Sequence, residues 1–185
     1  EKELHNSSFW GFLSDKDYQT RIDLILNLIA NKPSNNKDKY FTFFYFDRMR
    51  SDLESIWKKI QHTFLILKDW YEDHNLYHKI GYLIASKDVN WTLQKIFSAS
   101  VGKTKTDFAK LLDGAIAETI KLKNSNYADL DYNKAYDYAR ISRLLLLYNV
   151  ETVRTIAGQS QRFPFDQFKS TKGGAWSLEH IHAQQ

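Results

Sequence analysis

Apolar residues recur along most of this chain at intervals of three and four, the period of a helix that buries one face. Ser14-Asp15 can cap a first such run, whose apolar stripe is Tyr18, Ile22, Ile25, Leu26 and Ile29. The run should stop near Asn31-Lys32-Pro33-Ser34-Asn35-Asn36, because a proline disfavours helix at the residue before it. From Tyr40 to Phe46 aromatics occupy almost every position, so periodicity leaves both a short strand and a buried helical turn open; helix is the favoured reading. Ser51-Asp52-Leu53-Glu54 reads as a capping box and opens the clearest helix, with Leu53, Ile56, Trp57, Ile60, Phe64, Leu67 and Tyr71 on one face.

Further helices are expected from Asn75 to Ala85, from Asp88 through Trp91, Ile96 and Phe97, and from a cap at Thr106 through Phe108, Leu112, Ile116 and Ile120. The last should span Tyr132 to Asn149. Its run Leu144-Leu145-Leu146-Leu147 is apolar on every side, which predicts the central, most buried helix. From Gly158 the pattern changes. Gln159 to Phe165 is not helical in pattern, Gly173-Gly174 marks a turn, and Trp176-Ser177-Leu178-Glu179-His180-Ile181-His182 alternates apolar and polar as a half-buried strand does. A lone strand needs partners, which are expected to follow residue 185. The fold class is therefore all-α, a bundle of about six to eight helices with an extended C-terminal segment, divided into a helical domain (1–157) and a distinct tail (158–185).

Composition supports this reading. Only 7 Gly and 2 Pro occur in 185 residues, too few for the many tight turns of an all-β fold. There is no Cys, which excludes disulfides and thiolate metal sites and fits a reducing, cytoplasmic compartment. No apolar run approaches the roughly 18–20 residues that cross a bilayer, and Glu1-Lys2-Glu3-Leu4-His5-Asn6 is too polar for a signal peptide, so no membrane partner is expected. The net charge of +4 resides entirely in residues 93–185. Within that half, Arg140, Arg143, Arg154, Arg162, Lys169 and Lys172 face only Glu151 and Asp166 between residues 140 and 172. A balance this small usually describes a solvated surface, but it precedes the alternating tail.

Most candidate chemistry fails on spacing. Gly102-Lys103-Thr104 lacks the glycine five residues earlier that a phosphate loop needs, since Phe97 stands there. His74 and His78 share a helix face, but Asn75 replaces the glutamate of a metalloprotease, so hydrogen-bonded structural histidines are expected. No nucleophile elbow is present, and Asp47, Glu54, Asp113 and Glu118 form no pairing that spacing singles out.

The tail differs. Glu179-His180-Ile181, preceded by Trp176-Ser177-Leu178, resembles the first motif of HNH-type (ββα-metal) nucleases, in which an acidic residue beside a histidine helps hold a divalent metal while the imidazole takes a proton from the attacking water. The longer string Arg162-Phe163-Pro164-Phe165 … Trp176-Ser177-Leu178-Glu179-His180-Ile181-His182-Ala183-Gln184 is similar to the junction in the GmrSD family of modification-dependent restriction nucleases. Phe9-Trp10-Gly11-Phe12-Leu13 with Asp17 to Asp23, and Trp70 to Leu83, resemble that family's helical region more loosely.

The resemblance implies that residues 158–185 are a linker and the first motif of an HNH-like domain, with Glu179 metal-associated and His180 the general base. It implies Mg²⁺ or Mn²⁺ as cofactor of the longer protein and DNA, modified or unmodified, as substrate. A nucleotide-hydrolysing domain would precede the helices and the rest of the nuclease would follow, with the helical region inactive alone. Ala183 stands where proline is frequent in the family. Arg154, Arg162, Lys169 and Lys172 would track DNA phosphates. The competing expectation is a structural or protein–protein interaction domain in which Glu179-His180 has no nuclease role.

Overall fold

Asp73 ends one helix and begins the next, and the bundle is organised about that corner. Its side chain accepts the backbone N–H of Leu76 at 2.8 Å while its own N–H donates to Asp69 O at 2.9 Å, so one short residue closes α4 (Leu53–Glu72) and caps α5 (His74–Ala85). The computed structural model describes residues 6–14, 21–33, 35–122, 126–156 and 160–166. Besides α4 and α5 these contain α1 (Ser7–Leu13), α2 (Arg21–Ile29), α3 (Phe41–Asp47), α6 (Leu93–Ser100), α7 (Lys105–Ile120) and α8 (Ala135–Thr155). A 3-10 turn occupies Tyr127–Asp129, and no strand occurs among the described residues, so the fold is all-α as expected.

The helix starts lie where local hydrogen bonding places them. Asn6 accepts from Phe9 N at 3.0 Å to cap α1, and Asp52 accepts from Ser55 N at 2.9 Å to cap α4. The expected Ser51 box is thus shifted by one residue. Thr104, not Thr106, caps α7, accepting from Asp107 N at 3.1 Å. Asp88 organises a turn, accepting from Asn90 N at 2.8 Å, and α6 begins only after Thr92. At the starts of α4, α6 and α7 more than one nearby residue has a side chain that can cap, and backbone direction, which spacing does not report, selects Asp52, Thr92 and Thr104.

α5 is the central helix. It packs against α1, α4, α7 and α8, and Leu76, Tyr77, His78, Ile80, Gly81, Tyr82 and Leu83 are all buried. Aromatic edges knit its surroundings: Phe12 stacks on Tyr77 (5.0 Å between centroids), Phe9 meets Tyr71 edge-on (5.3 Å), and Trp70 stacks on Phe108 (5.4 Å). Polar ties add direction. Tyr82 Oη and Thr119 Oγ1 lie 2.8 Å apart in the interior, and Lys79 pairs with Asp113 across α5 and α7 at 2.7 Å.

The expectation that α8 is the most buried helix is overturned. Only Leu146 and Val150 are buried along its 21 residues, and Leu145 is 46% exposed. The four leucines point around the helix, but one face alone meets the bundle, and the first half of α8 buries nothing. Composition saturated with leucine carries no directional information. α2 likewise buries Leu24, Ile25 and Leu28 while Ile22 stands 41% exposed; Tyr18 lies outside the described residues. α3 is a helix, as favoured, yet none of its residues is buried: Phe43, Phe44 and the preceding Tyr40 stand mostly in solvent, as do Leu53 and Trp57 at the start of α4.

Candidate functional site

The most organised feature outside the helix contacts is an extended strap, residues 160–166, laid along α5 and onto α1. It begins at the first turn of α5, where His74 Nε2–H donates to Gln161 O at 3.1 Å. The Arg162 guanidinium then covers the rings of Tyr71 and Tyr77, 4.7 and 5.1 Å from their centroids, and donates to Glu72 O at 2.9 Å. That carbonyl belongs to the last turn of α4, where a cation is well placed. Phe163 and Phe165 are buried in the core, with exposed Pro164 between them. Phe165 N–H donates to Phe163 O at 2.9 Å, a three-residue turn about Pro164.

Two buried side chains read the strap backbone at Phe163. Tyr77 Oη donates to Phe163 O at 2.7 Å, and Phe163 N–H donates to His78 Nε2 at 3.1 Å. His78 Nδ1–H donates to His74 O at 2.7 Å, so the imidazole is neutral, with its proton on Nδ1 and a lone pair on Nε2. Burial pulls the His78 pKa down to about 4; its bond to His74 O acts the other way, and the neighbouring His74, Arg154 and Arg162 add to the lowering. Burial likewise pushes the Tyr77 hydroxyl up, out of reach of ordinary titration, reinforced by Tyr71 and Asp166. Tyr77→Phe is expected to cost about 1 kcal/mol by urea denaturation, a modest loss because Phe163 O keeps the N–H of Phe165.

Glycines in two helices make room for the strap. A Cβ on Gly81 would lie 2.2 Å from the Phe165 ring, and one on Gly11 would lie 2.4 Å from Asp166 Cβ and 2.6 Å from its Cα. Glycine inside a helix costs about 1 kcal/mol relative to alanine, so these positions exchange helix propensity for close approach. Ser8 Oγ adds a long hydrogen bond to Asp166 Oδ2 at 3.4 Å.

The structure locates two of the six residues singled out by chemistry, and both have internal work. Arg154 forks onto Glu151, with Nε 3.0 Å from each carboxylate oxygen, and reaches Asn75 Oδ1 at 3.1 Å. Arg162 is the strap residue just described. Both lie beside His78 and act on it electrostatically, but neither is a free phosphate-binding arm. Two further arginines of the basic stretch are engaged as well: Arg143 pairs with Asp88 at 3.3 Å, and Arg140 covers the Tyr136 ring at 4.0 Å. Glu179, His180, Lys169 and Lys172 lie outside the described residues, as does the expected strand 176–182.

Among the described residues no group of three or more His, Asp and Glu is placed to hold a metal ion, and no helix is long and apolar enough to cross a membrane. A shallow depression of about 560 Å³ on the first half of α4, lined by Asp52, Glu54, Ser55, Lys58, Lys59 and His62, mixes both charges on an open surface. The residues that spacing did not single out are Tyr77, Gly81, Gly11, Phe163 and Phe165. Gly11 and Gly81 carry the signal of a glycine inside a helix, and Phe163 and Phe165 that of the alternation Arg162-Phe163-Pro164-Phe165; Tyr77 has no spacing signal of its own. No protein-family model matches the chain, and no curated protein or solved structure does either.

Proposed function

We propose that this chain is the helical connector of a DNA endonuclease of phage defence, coupling a nucleotide-hydrolysing domain that precedes it to an HNH nuclease whose first motif is Glu179-His180. The single observation behind the reading is the string from Arg162 to Gln184, which has the form of an HNH junction. The strap supports it mechanically: a connector must deliver the following chain from a fixed point, and Phe163, Phe165 and Asp166 are held on α5 and α1. In this reading Glu179 would help hold Mg²⁺ or Mn²⁺ and His180 would accept the proton of the attacking water.

Cleavage of DNA by the protein extended past Gln185, with Mg²⁺ or Mn²⁺, tests the proposal. His180→Ala is expected to lower the rate by about 10²–10⁴-fold with an unchanged far-ultraviolet circular dichroism spectrum. Undiminished cutting by that variant would sink the assignment. DNA contact is proposed for Arg154, Arg162, Lys169 and Lys172, with Lys169 and Lys172 the cleaner probes because Arg154 and Arg162 also serve internal contacts. Removing the two lysines should weaken binding and flatten its salt dependence.

A second reading, a helical domain for protein–protein interaction, draws on a different observation: α3 and the start of α4 present Tyr40, Phe43, Phe44, Leu53 and Trp57 to solvent. Absence of cleavage with modified DNA and nucleotides supplied would favour it.

A further inference from the structure

We propose that residues 161–166 are a releasable latch, a segment that undocks from α5 and α1 as a unit while the helices stay folded, with the lone pair of His78 Nε2 as its catch. The strap differs from the rest of the core in how it is held. The helices carry their own hydrogen bonds, whereas the strap is tied to α5 through side chains: Phe163 N–H donates to the His78 imidazole, and Phe163 O accepts from the Tyr77 phenol besides the Phe165 N–H. Its apolar anchors are two side chains, Phe163 and Phe165, and ordering six extended residues opposes much of what those anchors and hydrogen bonds contribute. Its remaining polar ties among the described residues are from His74 to Gln161 O, from Arg162 to Glu72 O and from Ser8 to Asp166, none of them fully buried, so the segment is a natural unit of local opening.

The catch has two states. With Nε2 unprotonated, His78 accepts from Phe163; with Nε2 protonated, two N–H donors meet head-on and the bond is lost, leaving a buried cation. Among the described residues no carboxylate hydrogen-bonds or ion-pairs with His78. From α5 itself His74 lies 4.4 Å away between ring centroids and Tyr77 5.1 Å. α8 brings Arg154, already forked onto Glu151. The strap brings Arg162 and, beyond Tyr77, Asp166, and α4 brings Tyr71 and the Glu72 carbonyl that Arg162 occupies. α7 contributes Asp113, which is paired with Lys79. The charges nearest the ring are therefore mostly positive, and protonation favours the undocked strap, in which the imidazole reaches water.

Hydrogen exchange resolved at single amides tests this. Corrected for intrinsic rates, the Phe163 and Phe165 amides should be at least tenfold less protected than those of Leu83 and Leu112 in α5 and α7. Their protection should fall by up to tenfold per pH unit from 6.5 to about 4, and His78→Gln, which keeps an acceptor but does not titrate, should remove that slope. Equal protection of strap and helices, or an unchanged slope in His78→Gln, would overturn the latch. Imidazole nitrogen NMR of the unaltered protein gives a check that needs no variant: His78 should hold its proton on Nδ1 and titrate well below 6.5, and a midpoint at or above 6.5 would overturn the proposal equally.

Discussion

Replacing Gly81 with alanine is expected to eject Phe165 from the core and to cost the protein about 2–4 kcal/mol, a fall in Tm of roughly 5–15 °C. The added methyl would sit 2.2 Å from the phenyl ring, far inside contact distance, and Gly81 is buried on the most enclosed helix, so neither partner has room to yield. Alanine improves helix propensity by about 1 kcal/mol, which the loss must exceed. Gly114→Ala measures that gain alone, because a Cβ there meets nothing within 4 Å; it should raise stability by about 0.5–1 kcal/mol. Gly11→Ala strikes the same strap from α1, where the obstacle is the Asp166 backbone itself. If the strap undocks as a unit, the cost of either change is capped at the docking free energy, and Gly11→Ala with Gly81→Ala should cost little more than one alone. Thermal and urea unfolding read all four variants. A Gly81→Ala protein as stable as the original would mean that Phe165 is not seated where the geometry puts it.

Acid is expected to weaken the fold in a window set by His78. In the unfolded chain the imidazole takes a proton near pH 6.5, whereas in the folded protein it does so only at about 4. Above 6.5 both states are neutral and this residue contributes no pH dependence. As pH falls below 6.5 the unfolded state gains a proton that the folded state refuses, so stability declines by up to about 1.4 kcal/mol per unit until the folded group titrates. The accumulated loss over that window is about 3 kcal/mol at most, limited again by the docking free energy. Carboxylates titrate in part of the same window, so the diagnostic quantity is the difference between the protein and His78→Gln across pH 4–7. A difference that does not change with pH would show that His78 is not held neutral by the strap.

The all-α architecture was legible because helical spacing recurs in nearly every segment and caps such as Asp52, Asp73 and Thr104 stand within a residue or two of the expected starts. What spacing could not convey was which helix lies at the centre. Leu144 to Leu147 is the most apolar run, yet half-polar α5, with two histidines and two tyrosines, is the buried one, because its polar atoms are satisfied by the strap, by Thr119 and by its own carbonyls. His74 and His78 are hydrogen-bonded, as expected, and His78 is the one whose free ring nitrogen meets the strap. Its partner, Phe163, lies 85 residues away, a separation no local pattern can bridge. The same is true of Gly81 and Phe165: a glycine in a helix announces a close approach without naming what approaches.

If the strap is part of the helical fold, its removal must cost stability, and comparing residues 1–156 with residues 1–166 by urea unfolding tests that most directly. The shorter chain is expected to fold cooperatively but to be less stable by about the same 2–4 kcal/mol as Gly81→Ala, since both measure the loss of one docked segment. Equal stability of the two chains would contradict the account outright, because Phe163 and Phe165 would then contribute nothing to the core; failure of the shorter chain to fold would contradict the independent undocking on which the latch depends.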